Sequence, residues 1–151
     1  MNSEFSKKIG ELMKISFELM ECSKQNCSEQ KEKIMANKKA NSLFNNYNKE
    51  TDIKKKLKLA NQYSRNNIIY EYTKCNVKYC KKIFSDLINL IKSFISVLPE
   101  NDQKRVNLNK MITELETLFK KDELTKKEYN IYIKNITKLM SSITSTQSSS
   151  K

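Results

Sequence analysis

Histidine and tryptophan are absent from this chain, and glycine and proline occur once each, as Gly10 and Pro99. One glycine cannot build a Gly-rich phosphate loop, a dinucleotide fingerprint or a turn-rich β-sandwich. Without histidine the chain lacks the usual general base and the usual metal ligand, so Ser-His-Asp and Cys-His arrangements are both impossible. Arginine is nearly missing too, since all but two of the 29 basic residues are lysine. That removes the guanidinium fork on which most base readout rests. Long apolar runs are also missing. The most apolar stretch, 83–98, contains Asp86 and Lys92 and falls short of the roughly 20 residues a membrane span needs. These absences lead us to expect no enzyme, no cofactor, no metal, no small-molecule substrate and no membrane span.

What remains is a basic chain of 151 residues with net charge +12, 38% hydrophobic residues, 30% charged residues and a mean hydropathy of −0.71. Such a ratio supports only a thin core and suits helices with one apolar stripe and a wide solvated face. Lysine, asparagine and isoleucine all have A/T-rich codons, so part of the positive charge records base composition. The first twenty residues carry charges at Glu4, Lys7, Lys8, Glu11, Lys14 and Glu18, so they hold no apolar signal region. A soluble protein of the virion or host cytoplasm is the expectation.

Apolar residues recur at helical spacing almost throughout, which predicts an all-α fold of four helices. The first, over 2–47, starts on Asn2 or Ser3 and fades in the Asn-rich stretch 41–48. Thr51 and Asp52 cap a second helix over 52–98, which carries the strongest stripe: Ile68, Tyr72, Tyr79, Ile83, Leu87, Leu90, Ile91 and Phe94. The polar tetrad Ser64-Arg65-Asn66-Asn67 is its weak point, and Pro99 ends it. These two helices form a long antiparallel hairpin, and 101–121 with 126–143 form a short one. Thr125-x-x-Glu128 reads as a capping box, flanked by Leu124 and Tyr129 as a hydrophobic staple. Residues 1–140 make a single domain, and the Ser/Thr-rich 141–151 are expected to be a disordered tail.

Four cysteines occur as two C-x4-C pairs, Cys22 with Cys27 and Cys75 with Cys80. Cys22 and Cys80 are equidistant from residue 51, and so are Cys27 and Cys75. Residue 51 is where the hairpin is expected to turn, so the cysteines fall in register across it. Three arrangements suit them: two interhelical disulfides, Cys22–Cys80 and Cys27–Cys75; one zinc site of four thiolates; or four reduced, buried thiols. Residues five apart lie about 140° apart on a helix. Both disulfides therefore fit only if they flank the helix–helix seam or the helix is locally distorted, and a partial break near Asn26 would relieve the strain.

Paired cysteines on two helices resemble the twin cysteine-pair helical hairpins of the mitochondrial intermembrane space, although those use spacings of three or nine. The Lys/Asn/Ile-rich composition with C-x4-C pairs also resembles small structural proteins of giant DNA viruses, which encode their own thiol oxidases. The viral resemblance implies a minor capsid or virion-cementing component whose partners are other protein subunits. The broad apolar stripe of the second helix is the expected partner-binding surface. A basic patch, Lys54, Lys55, Lys56 and Lys58 with Lys74, Lys78, Lys81 and Lys82, makes non-specific nucleic-acid binding the alternative.

Overall fold

The computed structural model describes residues 3–97 and 101–149, and among them every regular element is a helix. There are eight: α1 (Ser3–Asn26), α2 (Ser28–Ala36), α3 (Lys38–Lys49), α4 (Ile53–Arg65), α5 (Asn67–Tyr79), α6 (Lys81–Ile95), α7 (Gln103–Phe119) and α8 (Lys126–Ser149). The all-α expectation holds and the four-helix layout does not. Each long helix of the expected hairpin is three shorter ones, α1–α3 and α4–α6.

The breaks have local causes. Asn66 ends α4 and caps α5, its carboxamide oxygen accepting from the N–H groups of Ile68 and Ile69. This is the weak tetrad seen in the sequence. Asn37 does the same for α3 by accepting from Ala40 N–H at 2.9 Å, a break the apolar pattern did not reveal. The other two breaks fall on cysteines, Cys27 and Cys80, neither of which makes a side-chain cap. The Asn-rich stretch does not fade, because α3 runs on to Lys49. There Asn45 donates to the side chain of Asn41, and Leu43, Phe44 and Tyr47 pack against the core. Tertiary contact overrides the weak helix propensity of asparagine.

The hairpin register survives the breaks. Helix α3 packs on α4, α2 on α5 and α1 on α6. At the far end Lys8 donates to the carbonyl of Ser93 at 3.1 Å, again nearly symmetric about residue 51. Asp52 caps α4 by accepting from the N–H groups of Lys54 and Lys55. The expected cap at Asn2 and the stop at Pro99 lie outside the described residues.

Helices α7 and α8 form the short hairpin. Its capping box is present, with Glu128 N–H donating to Thr125 Oγ1 at 3.2 Å and Thr125 N–H donating to Glu128 Oε1 at 2.9 Å. Lys121 pairs with the Glu128 carboxylate, and with the Thr125 N–H it holds that acid below the usual range. Leu124 and Tyr129 are both buried. Helix α8 lies along α4, where buried Ser64 donates to Asn130 Oδ1 at 2.7 Å. It continues to Ser149 in place of the tail expected from 141, since no glycine or proline interrupts it.

The core is uneven. Ile69, Ile88, Ile91, Ile112, Leu115 and Leu139 are completely or almost completely buried, and an edge-on aromatic group of Phe84, Phe119 and Tyr132 joins α6, α7 and α8. Of the 25 buried hydrophobic residues among those described, only Cys27, Ile34 and Ala40 come from the first 50 positions. Helix α1 buries no described side chain. Ile9, Leu12, Ile15 and Leu19 rest against the core half-covered.

Candidate functional site

All four cysteines are consumed by two disulfides, Cys22–Cys80 and Cys27–Cys75, with Cα separations of 6.1 and 5.9 Å. This pairing replaces the zinc and reduced-thiol alternatives. The breaks resolve the geometric conflict between five-residue spacing and a straight helix. Cys22 sits within α1 and Cys75 within α5, whereas Cys27 and Cys80 stand at the breaks. Each bridge therefore joins a cysteine inside a helix to one at a junction.

The two halves of the site are near copies in reverse order. Cys27 has φ −127° and ψ 23°, and Cys80 has φ −113° and ψ 20°. Each ends one helix through an i→i−4 bond, Cys27 to Ser23 O and Cys80 to Asn76 O, and each carbonyl starts the next, from Lys31 and Phe84. Cys22 Sγ lies 3.6 Å from the carbonyl oxygen of Tyr79, and Cys75 Sγ lies 3.4 Å from that of Asn26. A disulfide sulfur carries no hydrogen, so these are packing contacts. They show the same local two-fold relation, with each in-helix cysteine seated against the residue just before the opposite break. A hydrogen bond of 2.7 Å between Ser23 and Tyr72 hydroxyls flanks the site on α1 and α5.

The bridges are nested, and their loops can be weighed. Closing the first spans a separation of about 50 residues and removes about 4 kcal/mol of unfolded-chain entropy. The second then closes a ring of only about a dozen residues and adds about 3 kcal/mol. Half-burial of the four aliphatics under α1 contributes about 1 kcal/mol each. The disulfides thus outweigh packing as the fastening of α1.

The expected partner stripe divides. Leu87, Leu90, Ile91 and Phe94 are each less than a tenth exposed and belong to this chain's own core. Ile68, Tyr72 and Ile83 are half-buried, and Tyr79 is exposed. The breaks at Asn66 and Cys80 interrupt the stripe, which a continuous helix would have kept on one side. The uncovered apolar surface lies elsewhere, on the outer side of α1, where Met13, Phe17 and Met20 are 58, 64 and 66% exposed. The sequence contained this signal, since the three follow one another at four and three residues. Spacing alone does not separate it from the inner row, because Ile9, Leu12, Ile15 and Leu19 share the same helix.

The basic patch is also divided. Lys54, Lys55 and Lys58 are exposed on α4. Lys56 is half-buried with its ammonium 4.8 Å from the centre of the Tyr47 ring, and burial lowers its pKa against the opposing pull of Glu50. Lys74 and Lys78 lie on α5, while the Cys80 break puts Lys81 and Lys82 on α6, so the four do not share one helix face. Lys81 reaches the α7–α8 turn, donating to the carbonyl of Lys121 at 3.3 Å. Lys126 bonds Asn67 and stands 5.4 Å from the centre of the Tyr70 ring. The turn thereby brings further lysines beside the α5–α6 row, which spacing along the chain could not reveal.

No described helix is long and apolar enough to cross a membrane, and no group of three or more Cys, Asp or Glu among the described residues is placed to hold a metal ion. No protein-family model matches the chain, and neither does any curated protein or solved structure.

Proposed function

We propose that this chain is a non-enzymatic structural or assembly protein, a small minor capsid or cementing component of a large DNA virus stapled by its two disulfides. The observation that carries the reading is the state of α1. It is a 24-residue helix without a buried described side chain, covalently fastened on one side and apolar on the other. A catalyst has no use for such an element, whereas a part that must stay folded while docked on other subunits does. Two disulfides in a chain of this composition fit a virus that supplies its own thiol oxidase. Non-reducing peptide mapping of the chain from purified particles tests this. Both disulfides should be recovered in particle-associated protein, and four alkylatable thiols would overturn the reading.

A second reading, non-specific nucleic-acid binding, is favoured by the lysines that Lys81 and Lys126 bring together across α5, α6 and the α7–α8 turn. It predicts duplex-DNA binding at about 50 mM salt that falls steeply by 200 mM. Absence of binding at the lower salt excludes it.

A further inference from the structure

The outer face of α1 has features that point to its occupant. Gly10, Met13, Phe17 and Met20 follow at three, four and three residues, the spacing of a helix–helix seam. Gly10 is the only glycine in the chain, it lies inside a helix, and a Cβ built on it meets nothing within 4 Å. Its backbone φ is not positive, so neither conformation nor packing within the chain calls for glycine there. A glycine on an uncovered seam opens a notch where another helix approaches closely.

The face is complementary to itself when reversed. In an antiparallel pairing centred on residue 15, Gly10 faces Met20 of the second helix, and Met13 faces its Phe17. The most exposed of the three apolar side chains, Met20, then fills the notch, twice, by symmetry. A parallel pairing sets Gly10 on Gly10 and leaves a hole. Along the flank of the seam stand Lys7, Lys14 and Glu21. Antiparallel packing brings this flank against its own copy, so Lys7 meets Glu21 of the partner at both ends. Lys14 meets its own copy on the axis, the one repulsive contact. Two attractive pairs against one repulsive pair favour this register.

We infer that the outer face of α1 docks an antiparallel α1 from a second copy of this chain, through the Gly10, Met13, Phe17 and Met20 seam. The inference rests on the assembly reading above and names one of its contacts. A single helix pair is smaller than a standard interface, so the expected dissociation constant is on the order of 10 µM.

Sedimentation of the oxidised full chain from about 1 to 200 µM tests it. The weight-average mass should rise from 17.8 kDa towards twice that value. Phe17→Lys should hold the chain monomeric with an unchanged circular dichroism spectrum. Lys7→Glu and Glu21→Lys should each weaken association about tenfold, and the two together should restore it. Gly10→Ala should weaken association while raising the melting temperature by about 2–5 °C, since alanine favours the helix and meets no clash. A monomer at every concentration, or a dimer indifferent to Phe17→Lys, overturns the inference. Failure of the double charge reversal to restore association overturns the antiparallel register. A monomeric chain recovered from particles with both disulfides intact would sink the second-copy contact alone and leave the assembly reading standing.

Discussion

Helix α1 runs for 24 residues without burying a described side chain, whereas α6, at 15 residues, buries Leu87, Ile88, Leu90, Ile91, Phe94 and Ile95. Helix α6 packs against α1 on one side and α7 and α8 on others, whereas α1 is also held by two covalent bonds near its end. The difference teaches how a chain poor in hydrophobic residues can still present a long ordered helix. Cross-linking lowers the entropy of the unfolded arm, so less burial is needed to keep it docked. The hydrophobic residues thereby released from packing duty, Met13, Phe17 and Met20, stand on the surface.

The largest way to break this comparison is to remove both bridges. Replacing all four cysteines by serine should cost the α1–α2 arm on the order of 5–7 kcal/mol of local stability. Urea unfolding should separate into two transitions where the oxidised protein gives one. Next comes the core itself. Leu115→Ala, at a completely buried site on α7, should cost about 2–5 kcal/mol of global stability. Ile15→Ala on α1 should cost under about 1.5 kcal/mol, since the side chain is only half-covered. Equal costs at these two sites would erase the contrast.

Alkali should attack the core. Burial pushes Tyr63 and Tyr132 well above the ordinary tyrosine value of 10.0. An acid with a raised folded pKa stays protonated while its unfolded counterpart ionises, so the tyrosine contribution to stability is constant below about pH 10 and falls above it. Each tyrosine contributes a slope of about 1.4 kcal/mol per pH unit. The last phenolate absorbance to appear, that of Tyr63 and Tyr132, should therefore accompany loss of helix, and ionisation of all seven tyrosines in a fully helical protein would contradict the burial.

The smallest effect concerns the α8 cap. Glu128→Ala should lower the urea midpoint slightly, since it removes the reciprocal half of the capping box. Because the Glu128 pKa is depressed, the stabilisation is present above the ordinary value of 4.5 and is lost as pH falls below it towards the folded value. Acid titration of the alanine variant should lack that component.

Much of this fold was legible in the residues. The register about residue 51, the Asp52 cap, the break within Ser64–Asn67 and the Thr125–Glu128 box each follow from a local chemical signal, and each is present. Two things were not legible. The break at Cys80 has no local signal, since a cysteine in isolation has no turn preference, whereas the break at Cys27 lies beside Asn26, where the cysteine spacing called for one. The break arises because two bridges at five-residue spacing cannot both be met by a straight helix. Burial on the second helix was illegible for a related reason. Apolar periodicity marks a face to be covered without saying what covers it, and Leu87, Leu90, Ile91 and Phe94 are covered by other helices of the same chain, α1 and α7 foremost among the neighbours of α6. The truly uncovered face was masked by its neighbours on α1, where inner and outer apolar rows run side by side.

The central claim is that the disulfides, more than packing, hold the N-terminal arm on the rest of the molecule. Amide hydrogen exchange on the oxidised and reduced full chain tests it most directly. On reduction, protection in α1 and α2 should fall by about a hundredfold or more while α7 and α8 keep theirs. Unchanged protection in α1 on reduction, or an equal loss in all eight helices, would contradict it.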